Sequence, residues 1–201
     1  MTTTLANRLA GENWVVDETF TEDLPAGERL SGVDFDGCTF EGVSLSGAAL
    51  IRCSLRDTTF RGCELSRLDL TDSRFTFVGF EDCRLLGTSF ATTHPTILGP
   101  ALEFTRCRMD YTSFRALELA GSTFRECRLH EADFAEATLS EVSFAGSDLT
   151  GASFGRSDLS GADFVTATGM AIDVRETVVR GARFALTHAN SLLSPFGVEL
   201  V

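Results

Sequence analysis

The chain has 201 residues, 43% hydrophobic and 23% charged, a composition that excludes a disordered or a membrane-spanning protein. All 17 basic residues are arginine, and 29 acids leave a formal charge of -12. That balance excludes a direct grip on a nucleic-acid backbone and disfavours anionic lipid surfaces; a macromolecular partner should present basic groups.

Residues 1–14 lack a basic start followed by an apolar stretch of signal-peptide length. No run approaches the about 18 apolar residues that cross a bilayer. The expectation is a cytoplasmic protein, with no membrane contact and six reduced cysteines.

From Leu30 to Phe90 every fifth residue is Leu or Phe, and from Phe104 to Phe164 every fifth is Phe, Leu or Met109. A period of five matches neither a helix at 3.6 nor a strand at 2. A chain that turns a corner every fifth residue accounts for it. The large residue then points inward, and so does the small residue two positions earlier, the slot that holds Cys38, Cys53, Cys63, Cys83, Cys107 and Cys127. Four such sides make a square coil of 20 residues, and coils stack about 4.8 Å apart through backbone hydrogen bonds. The fold class is therefore all-β, a quadrilateral β-helix of seven or eight coils and roughly 35–40 Å. In the second block Phe104, Phe124, Phe144 and Phe164 should share one wall, with Phe114, Phe134 and Phe154 opposite. Cys63 should stack on Cys83, and Cys107 on Cys127.

Phe90 to Phe104 is a step of 14, nine more than one normal step. The segment 91–103 contains His94, Pro95, Thr96, Ile97 and Leu98 and reads as a protruding loop, either passive or functional. It separates a first stack with its N-terminal cap (1–90) from a second stack (104–184), within one continuous domain. Val174, Val179 and Phe184 suggest a last, imperfect coil. The tail, 185–201, reads as a short helix stopped by Pro195 and then a strand. A solenoid end must be capped, and an apolar cap either serves that purpose alone or also pairs with itself in a twofold dimer.

Residues 129–164 carry Glu131, Asp133, Glu136, Glu141, Asp148, Asp158 and Asp163 against Arg156 alone, half of the total charge. Residues 165–201 sum to zero. A tail-to-tail dimer would bring two acidic stretches near the centre of a rod. The same acids also suit the turns of a solvated coil.

No catalytic constellation is apparent, and no cofactor or metal is expected. His94, His130 and His188 are far apart in sequence. Cys127 and His130 should point in opposite directions, inward and outward. No P-loop or GxGxxG motif is present. The expectation is a protein that is not an enzyme.

Stretches such as Ser147-Asp148-Leu149-Thr150-Gly151 and Ala162-Asp163-Phe164 resemble the A(D/N)LXX consensus of the pentapeptide-repeat family. That resemblance implies a right-handed coil. Glu81-Asp82-Cys83-Arg84-Leu85-Leu86-Gly87, Leu102-Glu103-Phe104-Thr105-Arg106-Cys107, Phe124-Arg125-Glu126-Cys127-Arg128-Leu129-His130-Glu131, and the tail Ala189-Asn190-Ser191-Leu192-Leu193 with Gly197-Val198-Glu199-Leu200 resemble the topoisomerase-protecting members. These are the albicidin-resistance and microcin B17 immunity type and, more distantly, the plasmid quinolone-resistance type. The resemblance implies a DNA-mimicking homodimer that engages the basic DNA-binding surface of DNA gyrase and relieves poisoning. It places the dimer seam at Leu192, Leu193, Phe196, Val198 and Leu200. It puts Asp133, Asp148, Asp158 and Asp163 among the phosphate-mimicking acids, and implies that the loop contacts the topoisomerase. A non-catalytic adaptor solenoid for another basic partner is the alternative.

Overall fold

The computed structural model describes residues 4–94, 102–193 and 196–198. The chain winds into a right-handed quadrilateral β-helix with four walls, named here in chain order. Wall 1 carries Val15, Phe35, Leu55 and Phe75, then Leu119, Leu139 and Leu159. Wall 2 carries Phe20, Phe40, Phe60, Phe80, Phe104 and Phe124 on six parallel, in-register strands, and isolated bridges continue it to Phe184. Wall 3 carries Leu45, Leu65, Leu85, Met109, Leu129 and Leu149. Wall 4 carries Leu30, Leu50, Leu70, Phe90, Phe114, Phe134 and Phe154.

The core is a phenylalanine herringbone. On wall 2 Phe20, Phe40, Phe60, Phe80, Phe104, Phe124, Phe144, Phe164 and Phe184 stack ring on ring, 4.7–5.2 Å between centroids. Opposite, Phe90, Phe114, Phe134 and Phe154 stack at 5.0–5.3 Å. The two columns meet edge to face, for example Phe114 on Phe124 at 5.4 Å, so both preferred aromatic geometries occur in the coils where the columns face each other. Eight steps of about 4.8 Å along the wall 2 column give a rod of roughly 38 Å.

Many corners are turns closed onto the large residue's carbonyl: Ala48 N–H donates to Leu45 O at 3.1 Å and Ala132 N–H to Leu129 O at 3.2 Å. The residue two positions after the large one takes positive φ, as in Gly47 (66°) and Gly151 (73°), the conformation a type II turn demands. Where the small inward slot holds a Ser, Thr or Cys, its O–H or S–H commonly donates to the carbonyl of the preceding wall's large residue one coil down. Ser73 reaches Leu50 O at 2.8 Å, Thr88 Leu65 O at 2.7 Å, and Cys63 Phe40 O at 3.3 Å.

The insertion is smaller than the sequence suggested. Phe104 lies directly on Phe80, so this coil has 24 residues instead of 20, four extra rather than nine. The chain must cross wall 1 between Phe90 and Phe104, which uses two ordinary steps; His94 N–H, bonded to Ser73 O at 2.9 Å, marks that crossing. The same register places Cys83 beside Cys107. The thiols therefore form one buried column, Cys63, Cys83, Cys107 and Cys127, where two separate pairs were expected. Neighbouring sulfurs and burial push Cys83 and Cys107 up to about 12, so these thiols are hydrogen-bond donors and poor nucleophiles.

The N-terminal end is covered by a helix, Leu5–Arg8, whose Leu5 is buried. Arg8 pairs with Glu18 at 2.6 Å and Glu22 at 2.8 Å, and its guanidinium lies 4.7 Å above the Phe20 ring. At the other end a 3-10 turn, Leu186–His188, leads into a short helix, Ala189–Leu193.

Candidate functional surface

The predicted acids encircle the rod. Asp133 lies on wall 4, Asp148 on wall 3, Asp158 on wall 1 and Asp163 on wall 2. Each sits just before a large residue, and its carboxylate accepts the N–H two residues on: Ala135 at 3.0 Å, Thr150 at 3.1 Å, Ser160 at 2.9 Å and Val165 at 3.0 Å. These aspartates therefore brace the backbone as they charge the surface. The Thr150 hydroxyl and His130, 2.7 Å away, hold Asp148 down at about 2. The Ser160 hydroxyl and N–H lower Asp158.

Between these rows Glu126, Glu131, Glu136 and Glu141 occupy the four corners of a single coil, with φ of 54°, 54°, 64° and 60°. The corners of the next coil are Gly146, Gly151, Arg156 and Gly161. Three of the glutamates lie over the three glycines: a methyl group at Gly151 would fall 2.5 Å from Glu131 Oε1, at Gly146 3.3 Å from Glu126 Cγ, and at Gly161 3.4 Å from Glu141 Cγ. Those glycines serve both the turn and the room above it. Over Arg156 the carboxylate of Glu136 is held between two guanidiniums, Arg156 and Arg115, the latter at 2.6 Å, and its acidity is raised by both.

The sequence counted Arg156 as the one opposing charge, and the fold corrects this. Arg115 also reaches Asp133 at 3.7 Å, Arg183 reaches Asp163 at 3.2 Å, and His130 faces Asp148. These partners lie about one coil away in sequence, outside or across the acidic window. Among the described residues Glu126, Glu131, Glu141 and Asp158 form no ion pair. Glu126 was missed because it precedes the window; its corner position was the available signal.

The other predicted residues divide. Pro95, Thr96, Ile97, Leu98 and Leu200 lie outside the described residues. Leu192 packs half-buried against the core and Leu193 is half-buried, whereas Phe196 and Val198 are 56% and 45% exposed. Leu186, which the sequence reading passed over, is 94% exposed at the start of the 3-10 turn. Cys127 points inward and His130 outward, as expected. Among the described residues no group of metal-ligating side chains converges, and no helix is long and apolar enough to cross a membrane.

Residues 33–96 and 101–168 match the model of the pentapeptide repeat region. Two trypsin-treated forms of QnrB1, a plasmid-mediated fluoroquinolone resistance protein, superpose with TM-scores of 0.62 and 0.71 at 20% identity, covering 94% of this chain and 99% and 97% of theirs. HetL, a pentapeptide repeat protein involved in heterocyst differentiation regulation in the cyanobacterium Nostoc sp. strain PCC 7120, superposes with a TM-score of 0.56 at 20% identity over 90% of this chain and 92% of its own. No curated protein matches the chain in sequence. With about two thirds of its length matched to the repeat and the coil geometry to go with it, the chain belongs to the pentapeptide-repeat family.

Proposed function

We propose that the protein is a DNA mimic that occupies the basic DNA-binding surface of DNA gyrase, or a related type II topoisomerase, and protects it from poisons. The observation that carries this reading is the acidic girdle: carboxylates on all four walls and all four corners of adjacent coils, on a rod of net charge -12. A duplex likewise presents negative charge around its whole circumference. The likeness of fold to QnrB1 and the resemblance to the albicidin-resistance and microcin B17 immunity type support the same assignment. The test is a gyrase supercoiling and cleavage assay with and without a poison. The expected result is binding that weakens as salt rises, together with fewer poison-stabilised breaks. No binding at low salt and no change in cleavage would sink the reading.

The neutralised carboxylates Glu136, Asp133 and Asp163, and the likeness to HetL, favour a second reading, an adaptor solenoid for another partner. It predicts partner binding that survives loss of the girdle charge.

The same proposal includes a homodimer through the C-terminal end. Leu192 caps its own core, so the seam falls to Leu186, Leu193, Phe196 and Val198. Light scattering should give twice the chain mass of 21.7 kDa, and Leu193→Arg or Leu186→Arg should halve it while the melt stays cooperative, with Tm falling only by what association contributed. A wild-type mass of one chain, or an unchanged mass in both variants, contradicts the seam.

A further inference from the structure

Two neighbouring residues, Phe77 and Gly79, give wall 2 an unusual local surface. The corner from wall 1 to wall 2 is Gly37 and Asp57 in two coils, then Phe77, and later Gly121 and Glu141. Phe77 holds φ at 54° and its ring is 59% exposed, in a conformation that suits glycine and penalises a bulky side chain. Two positions on, the outward residue of wall 2 is Thr39, Thr59, Gly79, Glu103 and Thr123 in successive coils. Gly79 has no backbone need to be glycine: its φ lies outside the left-handed region, and a Cβ there would sit at an ordinary 3.8 Å from Thr59 Oγ1. The corner slot takes Asp, Glu and Arg as well as glycine, but an exposed aromatic ring stands there only at Phe77 and Tyr111 among the described residues, and beside Phe77 a glycine stands where any side chain would fit. The pairing of an exposed ring with a missing side chain two residues on is what sets this stretch of wall 2 apart from its neighbours.

Gly79 lies in the floor of an open surface hollow of about 270 Å³ between Thr59 and Glu103, flanked by Phe77 and by Asp57 and Glu81. Glu81 is paired with Arg61 at 3.2 Å, while Asp57 and Glu103 form no ion pair among the described residues. A ring with an electron-rich face beside two uncompensated carboxylates selects a cation. The flat, multiply donating guanidinium satisfies both features at once, stacking on the ring and donating to the carboxylates. We propose that this hollow receives an arginine side chain of a protein partner.

The proposal concerns a local recognition site and does not depend on the partner being gyrase, so it is tested without gyrase. The full-length ¹⁵N-labelled protein is titrated with acetyl-Gly-Arg-Gly-amide and with the citrulline and lysine versions of the same peptide, with the Gly79 and Phe77 amides followed by NMR. The arginine peptide should give saturable shifts at both amides, the lysine peptide weaker ones, and citrulline none. Gly79→Thr, which restores the threonine row, should abolish the response and keep the melting temperature. Phe77→Gly should weaken the response and raise Tm, because the strained corner is relieved. The proposal is overturned if the arginine peptide gives no shifts, if citrulline or lysine matches it, or if the response persists in Gly79→Thr.

Discussion

Phe134→Asp should leave the chain without a cooperative fold. Phe134 is fully buried, sandwiched between Phe114 at 5.0 Å and Phe154 at 5.3 Å, with Phe124 and Phe144 edge-on at 5.5 and 5.6 Å. Losing a buried ring costs about 3–5 kcal/mol, and a carboxyl group without a partner in that column adds a desolvation penalty of several more. The sum rivals the whole stability of a typical domain, about 5–15 kcal/mol. The position compounds the effect, because each coil is supported only by its neighbours and Phe134 sits mid-column. Thermal melts followed by circular dichroism would show the native transition lost. Phe134→Leu is the control: wall 4 already accepts Leu30, Leu50 and Leu70, so this variant should fold with a loss of about 1–2 kcal/mol. A Phe134→Asp melt that superimposes on wild type would place residue 134 outside the core.

The coil itself was legible in the sequence because every fifth residue faces the same interior, which imposes a period that no helix or strand shares. The two phenylalanine columns followed from the alternation of Phe and Leu in the second block. What was not legible depends on register across the insertion. The step from Phe90 to Phe104 looks like nine surplus residues until wall 1 is seen to lie between them; the true surplus of four then brings Cys83 to Cys107 and Asp82 to Arg106, which pair 24 residues apart at 2.8 Å. Ion pairs across coils were hidden for the same reason. Glu136 finds Arg115 and Arg156 one coil away on either side, while a charge count along the chain places them apart or omits them. The Phe77 and Gly79 departures show only after each residue is assigned to a wall, since either residue alone is unremarkable in a chain with 17 Phe and 18 Gly.

Replacing Glu126, Glu131, Glu136 and Glu141 together with Gln should weaken association with gyrase by about tenfold or more, chiefly through slower binding, and should flatten its salt dependence. These side chains stand at exposed corners and take no part in the core, so the melting temperature should move little; Gln keeps the length that covers Gly146, Gly151 and Gly161. Single substitutions separate field from composition. Glu131→Gln removes a charge with no ion-pair partner among the described residues, whereas Glu136→Gln removes one already flanked by two arginines and frees Arg156, Arg115 keeping Asp133 at 3.7 Å. If the girdle acts through its field, Glu136→Gln should hurt binding as well, because the local charge becomes more positive by one and Arg156 then faces a basic partner without its carboxylate. Changing Asp133, Asp148, Asp158 and Asp163 to Asn tests the other ring of charge with the turns intact, since the amide oxygen still accepts the N–H two residues on. Surface plasmon resonance at two salt concentrations measures all of these. Gyrase affinity equal to wild type in both quadruple variants would remove the electrostatic basis for DNA mimicry and leave the adaptor reading in its place.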